Sequence, residues 1–107
     1  EPNDPEKRFT GRVVVLIGPA NMSSCESFIL MMKQSPDCTL VGERTWGSSG
    51  NPKPHKLCNA VTVYVPSWQD MLPDGTLLEG RGLEPDVKVP TTPRDFESDD
   101  PVLKRAL

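Results

Sequence analysis

Five apolar residues in a row, Val13, Val14, Val15, Leu16 and Ile17, open the patterned part of the chain. The run is rich in β-branched residues and does not alternate, which predicts a strand covered on both faces, as in a parallel sheet. Gly18 and Pro19 end it. Apolar residues then return at helical spacing. Cys25, Phe28, Ile29 and Met32 stand at i, i+3, i+4 and i+7, which predicts a helix over 24–34 with one buried stripe, widened by Leu30 and Met31. Ser35-Pro36-Asp37 stops that helix. Thr39-Leu40-Val41, closed by Gly42, predicts a short second strand. Strand, helix and strand within about 30 residues make a βαβ unit, which implies parallel pairing and a right-handed crossover.

Beyond this unit the pattern weakens. Residues 43–56 read as a long loop, and loops of that length are usually functional. Residues 57–65 alternate in part and predict a strand. Pro73-Asp74-Gly75 is a turn, so 64–68 and 76–79 are expected to form a loose hairpin. Val87-Lys88-Val89 predicts a last, half-exposed strand, and 90–96 a linker. Ser98-Asp99-Asp100 caps a final helix over 101–107, with Pro101 just inside its start. Residues 1–11 are polar and rich in proline, an extended lead-in. The expected class is α/β with a mostly parallel sheet and irregular loops.

Composition changes this picture in two ways. Only 36% of the 107 residues are hydrophobic and 12 are proline, which suits part of a larger protein better than a self-sufficient globule. The net charge of −3 argues against electrostatic binding of nucleic acid or an anionic membrane. The three cysteines, Cys25, Cys38 and Cys58, are odd in number and far apart, so neither a disulfide framework nor a C-x-x-C metal site is expected. His55 is the only histidine and has no ligand partner at zinc spacing. No metal and no cofactor is expected.

The candidate chemistry lies between the first strand and the helix. A serine at a strand-to-helix turn exposes its hydroxyl, and the helix start offers free N–H groups and a positive dipole end. Ser23 stands there. Ser23-x-x-Glu26 is equally the sequence of a capping box, in which the serine only closes the helix. Cys25 is an alternative nucleophile near the same helix start, although its place on the apolar stripe suggests packing. Gly47-Ser48-Ser49-Gly50 lacks the Gly-Lys-Ser/Thr ending of a phosphate loop, which argues against a nucleotide site.

Four pieces in order carry a resemblance. They are Val13-Val14-Val15-Leu16 with Ser23-Ser24-Cys25-Glu26; Val41-Gly42-Glu43-Arg44-Thr45; Gly47-Ser48-Ser49-Gly50; and Asp74-Gly75 with Glu79-Gly80-Arg81-Gly82-Leu83-Glu84-Pro85-Asp86-Val87. Together they resemble the tail-specific, or carboxyl-terminal processing, serine peptidases, which include the tricorn core protease and the repeats of interphotoreceptor retinoid-binding protein. The resemblance covers nearly all of residues 12–107. It implies a crotonase-like (ClpP/crotonase) βαβ core and assigns 12–107 to the C-terminal part of a peptidase catalytic domain. It also implies a polypeptide substrate cleaved through an acyl-enzyme on Ser23, with the Ser24 N–H in the oxyanion hole.

The lysine of the Ser–Lys branch would stand where this chain has Ser48. Lys53 lies further on, in a Pro-x-Pro setting that does not suggest burial. The tricorn-like branch uses Ser, His, a second Ser and Glu. For it Glu79 is the candidate glutamate, with the base supplied by an upstream domain of the same chain. Arg44, Trp46 and Ser48 are candidates for the substrate cleft, with Arg81 beside them. The resemblance is compatible with a homo-oligomer and leans towards an exported, periplasmic or cell-envelope location. The isolated segment is expected to be inactive. The alternative is a non-catalytic peptide- or ligand-binding module that keeps the peptidase fold.

Overall fold

The computed structural model describes residues 9–107; the greater part of the predicted lead-in lies outside them. Seven elements follow one another: β1 (Val13–Ile17), α1 (Ser24–Lys33), β2 (Cys38–Gly42), β3 (Lys53–Lys56), β4 (Thr62–Val65), β5 (Val87–Lys88) and α2 (Pro101–Ala106), with 3-10 turns at Cys58–Ala60 and Pro93–Phe96. β1, β2 and β5 form a parallel sheet in the order β1-β2-β5. β1 pairs with β2 from Val13 opposite Cys38 to Ile17 opposite Gly42. The predicted βαβ unit is present, and the class is α/β with a parallel sheet.

The core lies under α1. Ile17, Ile29, Leu40, Leu78 and Leu83 are buried together, with Val15, Leu30, Cys38 and Leu72 packed against them. Val41 points to the opposite face of the sheet, since successive strand residues alternate. It and Val102 of α2 are buried outside that cluster. Asp100 caps α2 as expected, its Oδ1 accepting the N–H groups of Val102 and Leu103 at 3.0 and 2.9 Å.

Five expectations need correction. The strand expected over 57–65 begins only at Thr62, after the 3-10 turn Cys58–Ala60. β1 is not covered on both faces: Val14 and Leu16 remain 42% and 40% exposed, because β1 is an edge strand and the short α2 shields only part of that face. The α1 stripe is narrower than its spacing suggests. Ile29 is buried, but Phe28 and Cys25 are exposed, and Glu26 takes the inward position instead. The loop after Gly42 ends sooner than expected, because Lys53–Lys56 is a strand. It pairs antiparallel with β4, Lys53 opposite Val65 and Lys56 opposite Thr62. The hairpin expected around Pro73-Asp74-Gly75 shrinks to one bridge, Met71 to Leu77, since β4 has already found β3 as its partner.

Two carboxylates hold the sheet to its loops. Asp86 substitutes for a strand neighbour: its Oδ2 accepts the Leu40 N–H at 2.8 Å, while its own N–H donates to the Leu40 carbonyl at 2.9 Å. Its exposed pair with Lys33 at 3.3 Å adds little. Glu43 Oε1 accepts the Thr91 hydroxyl at 2.6 Å and the Thr91 N–H at 3.0 Å, fixing the chain beyond β5.

Candidate active site

The turn between β1 and α1 is built on side chains that cap it from within. Asn21 Oδ1 accepts the Gly18 N–H at 2.7 Å, and the Asn21 carbonyl accepts the Trp46 N–H at 2.9 Å. Ser23 follows with φ 56° and ψ −125°. A helix-capping serine normally has extended backbone, whereas this left-handed conformation costs a non-glycine residue about 1–3 kcal/mol. The Ser23 N–H points inward, to the Ser48 carbonyl at 2.7 Å and to Glu26 Oε2 at 3.1 Å. Ser23 and Glu26 stand in the capping-box arrangement the sequence predicted; the Glu26 carboxylate half is bonded, while the Glu26 N–H is taken by the Ser23 carbonyl at 2.8 Å and the Ser23 hydroxyl makes no cap hydrogen bond. Ser23 is exposed. The Ser24 N–H, the first of α1, reaches no acceptor among the described residues.

Beneath this turn lies Glu26, a fully buried carboxylate. Four donors surround it. Oε1 accepts the Thr45 hydroxyl at 2.5 Å and the Gly47 N–H at 2.8 Å; Oε2 accepts the N–H groups of Ser23 and Ser48, each at 3.1 Å. A carboxylate buried without a cation is tolerable only when its oxygens are bonded in this way. Thr45 extends the network. Its hydroxyl also accepts the Leu83 N–H at 2.7 Å, and its own N–H donates to the Leu83 carbonyl at 3.1 Å. A single buried network therefore joins the Ser23 turn, the Gly47-Ser48 loop and the Gly82-Leu83 strand entry. Glu26 and Thr45 were legible as motif residues, but not as the link between motifs separated by 19 and 38 positions.

In front of Ser23 opens a cleft of about 130 Å³, lined by Ser23, Ser24, Ser49, Asn51, Trp68 and Asp70 among others. Glu79 is exposed and does not line this cleft; it meets it only through Ser49, its Oε2 accepting the Ser49 N–H at 2.8 Å and the Ser49 hydroxyl at 3.5 Å. Ser48 reaches Ser23 through its backbone only. Arg44 and Trp46 line a separate depression with Pro19, Glu43 and Lys88, so the structure does not bring them to the Ser23 cleft. Arg44 pairs there with Glu84 at 3.9 Å. Arg81 is exposed. Lys53 and His55 belong to β3, whose residues are all exposed, and neither lines the cleft. Trp68 and Asp70 were missed, because they follow a strand in a stretch with no periodicity and no motif. Among the described residues no group of His, Cys, Asp or Glu could hold a metal ion.

Comparisons with known proteins place the fold. A solved structure of a proposed peptidase from Parabacteroides merdae is similar to the chain, with 28% identity and a TM-score of 0.80 over 92% of it. The photosystem II D1 C-terminal processing protease is 26% identical over 92% of the chain, with a TM-score of 0.65. The tricorn protease, at 24% identity and a TM-score of 0.77 over 96% of the chain, shares the fold. The chain spans 31%, 25% and 11% of these proteins' own lengths, respectively. No curated protein matches it. The sequence matches the description of peptidase family S41 over residues 1–89. The chain, with its parallel sheet, its serine turn and its Glu-Pro-Asp segment, belongs to peptidase family S41.

Proposed function

We propose that this chain is the nucleophile-bearing part of a serine peptidase that cleaves polypeptides through an acyl-enzyme, built on a crotonase-like core. The observation that carries the reading is the Ser23 turn: an exposed serine in strained backbone, at a helix start, facing a cleft. Ser23 attacks the scissile carbonyl carbon. Its proton passes to a base, and the tetrahedral oxygen is received by the Ser24 N–H. One such donor contributes about 2.7–4 kcal/mol to the transition state. Glu79, held by Ser49, orients or charges the base.

The base itself is a group from another part of the protein, since neither imidazole nor lysine lines the cleft among the described residues. A serine without a base is a weak nucleophile at neutral pH, so residues 12–107 alone are expected to be inactive. Ser48, standing where the Ser–Lys branch carries its lysine, favours the tricorn-like arrangement. It also supports a second reading, a binding module that keeps the fold without hydrolysis. Peptide hydrolysis by the full-length protein separates the two. The first reading expects turnover that is lost in Ser23→Ala and reduced on the order of 10²-fold in Glu79→Gln. A folded full-length protein that binds peptides without cleaving them supports the second.

A further inference from the structure

The Ser23 cleft contains a charge that the proposed chemistry does not use. Asp70 is the only ionisable side chain among its lining residues. It is half-buried, and its carboxylate enters no ion pair or hydrogen bond among the described residues, where every paired carboxylate is accounted for elsewhere. Its position is nonetheless held. The Asp70 carbonyl accepts the Leu78 N–H at 3.0 Å, and the adjacent Met71 bridges to Leu77. On the other side, the N–H groups of Ser67 and Trp68 donate to the Gly50 carbonyl at 2.7 and 3.3 Å, and the Ser67 hydroxyl donates to the Asn51 carbonyl at 2.7 Å. The wall carrying Trp68 and Asp70 is thus fastened to the loop that follows Ser49.

A carboxylate at the edge of a cleft with no partner of its own is open to an incoming cation, and a charge-assisted hydrogen bond formed there is stronger than a neutral one. Trp68 adds an indole, the aromatic group that attracts cations most strongly. About 130 Å³ holds roughly four waters, the space of one side chain.

Resting on the reading of Ser23 as nucleophile, we propose that Asp70 is a specificity-determining residue that selects polypeptide substrates with a lysine or arginine side chain next to the scissile bond. The test uses the full-length protein. A neutral fluorophosphonate first reports whether Ser23 reacts. Peptides that differ only in Lys, Leu or Glu at the residues flanking the cleaved bond are then compared by kcat/KM. The lysine peptide is expected to exceed the leucine peptide at least tenfold. That ratio is expected to fall about tenfold in Asp70→Asn, and Asp70→Lys to favour the glutamate peptide. Labelling of Ser23 without any preference for a cation, or a uniform loss for all peptides in Asp70→Asn, overturns the inference alone. Absence of labelling removes the reading beneath it, and the inference with it.

Discussion

Ser23 carries a conformation that its side chain does not favour, and stability measurements separate the proposed nucleophile from a plain cap. If the hydroxyl capped α1, Ser23→Ala would cost about 1 kcal/mol. With no capping bond from the hydroxyl and φ at 56°, Ser23→Ala is expected to be near neutral. Ser23→Gly, which adopts that backbone freely, is expected to gain up to about 1 kcal/mol. Denaturant melts measure both, and the proposed function expects activity to be lost in each. Thr45 behaves oppositely. Thr45→Val keeps its volume but leaves the Leu83 N–H unpaired and removes a donor from Glu26, each at about 1–3 kcal/mol. Thr45→Ser restores most of this loss in the same melts, because the hydroxyl is what counts. The cysteines also divide by place. Burial pushes the Cys38 thiol above its ordinary pKa, and nearby Asp86 pushes it further, against Lys33. Iodoacetamide at neutral pH is therefore expected to modify exposed Cys58 well before Cys38.

Between elements, close backbone approaches set the design. A Cβ on Gly82 would stand 2.3 Å from the Thr45 carbonyl oxygen, at φ 70°. Gly82→Ala is expected to destabilise by more than about 1 kcal/mol and to lower activity, by pushing the Leu83 strand entry off Thr45. The β3–β4 hairpin is the contrary case. All of its residues are exposed, Tyr64 at 65% among them. Its amides are expected to exchange far faster than those of Leu40 and Val41 in the central strand. The contrast tracks what could be read in advance. β1, α1 and β2 are local patterns, and their periodicity shows in the sequence. The β3–β4 hairpin is local too, but β3 carries no strand pattern. Pro52 and Pro54 flank Lys53 and disguise an edge strand as a loop. The inward turn of Glu26 was hidden for a different reason: a buried carboxylate is legible only once its four donors, spread from Ser23 to Ser48, are brought together. Asp70 lies in a segment held by Gly50, Asn51, Leu77 and Leu78 rather than by a pattern of its own, so no local signal marked it.

At the scale of the molecule, the radius of gyration is 17.4 Å, against about 13 Å for a compact domain of 100 residues. The α1 side of the sheet has a closed core, while the hairpin and the outer face of β1 leave valines and leucines uncovered. Residues 12–107 expressed alone are therefore expected to unfold at a low denaturant midpoint and, on the proposed function, to cleave no peptide. The account depends on one covalent bond. Full-length protein treated with a fluorophosphonate and digested for tandem mass spectrometry is expected to show the adduct on Ser23 and on no other serine, with no adduct in Ser23→Ala. An adduct on Ser24, Ser49 or another residue, or active hydrolysis with Ser23 unmodified, would contradict it.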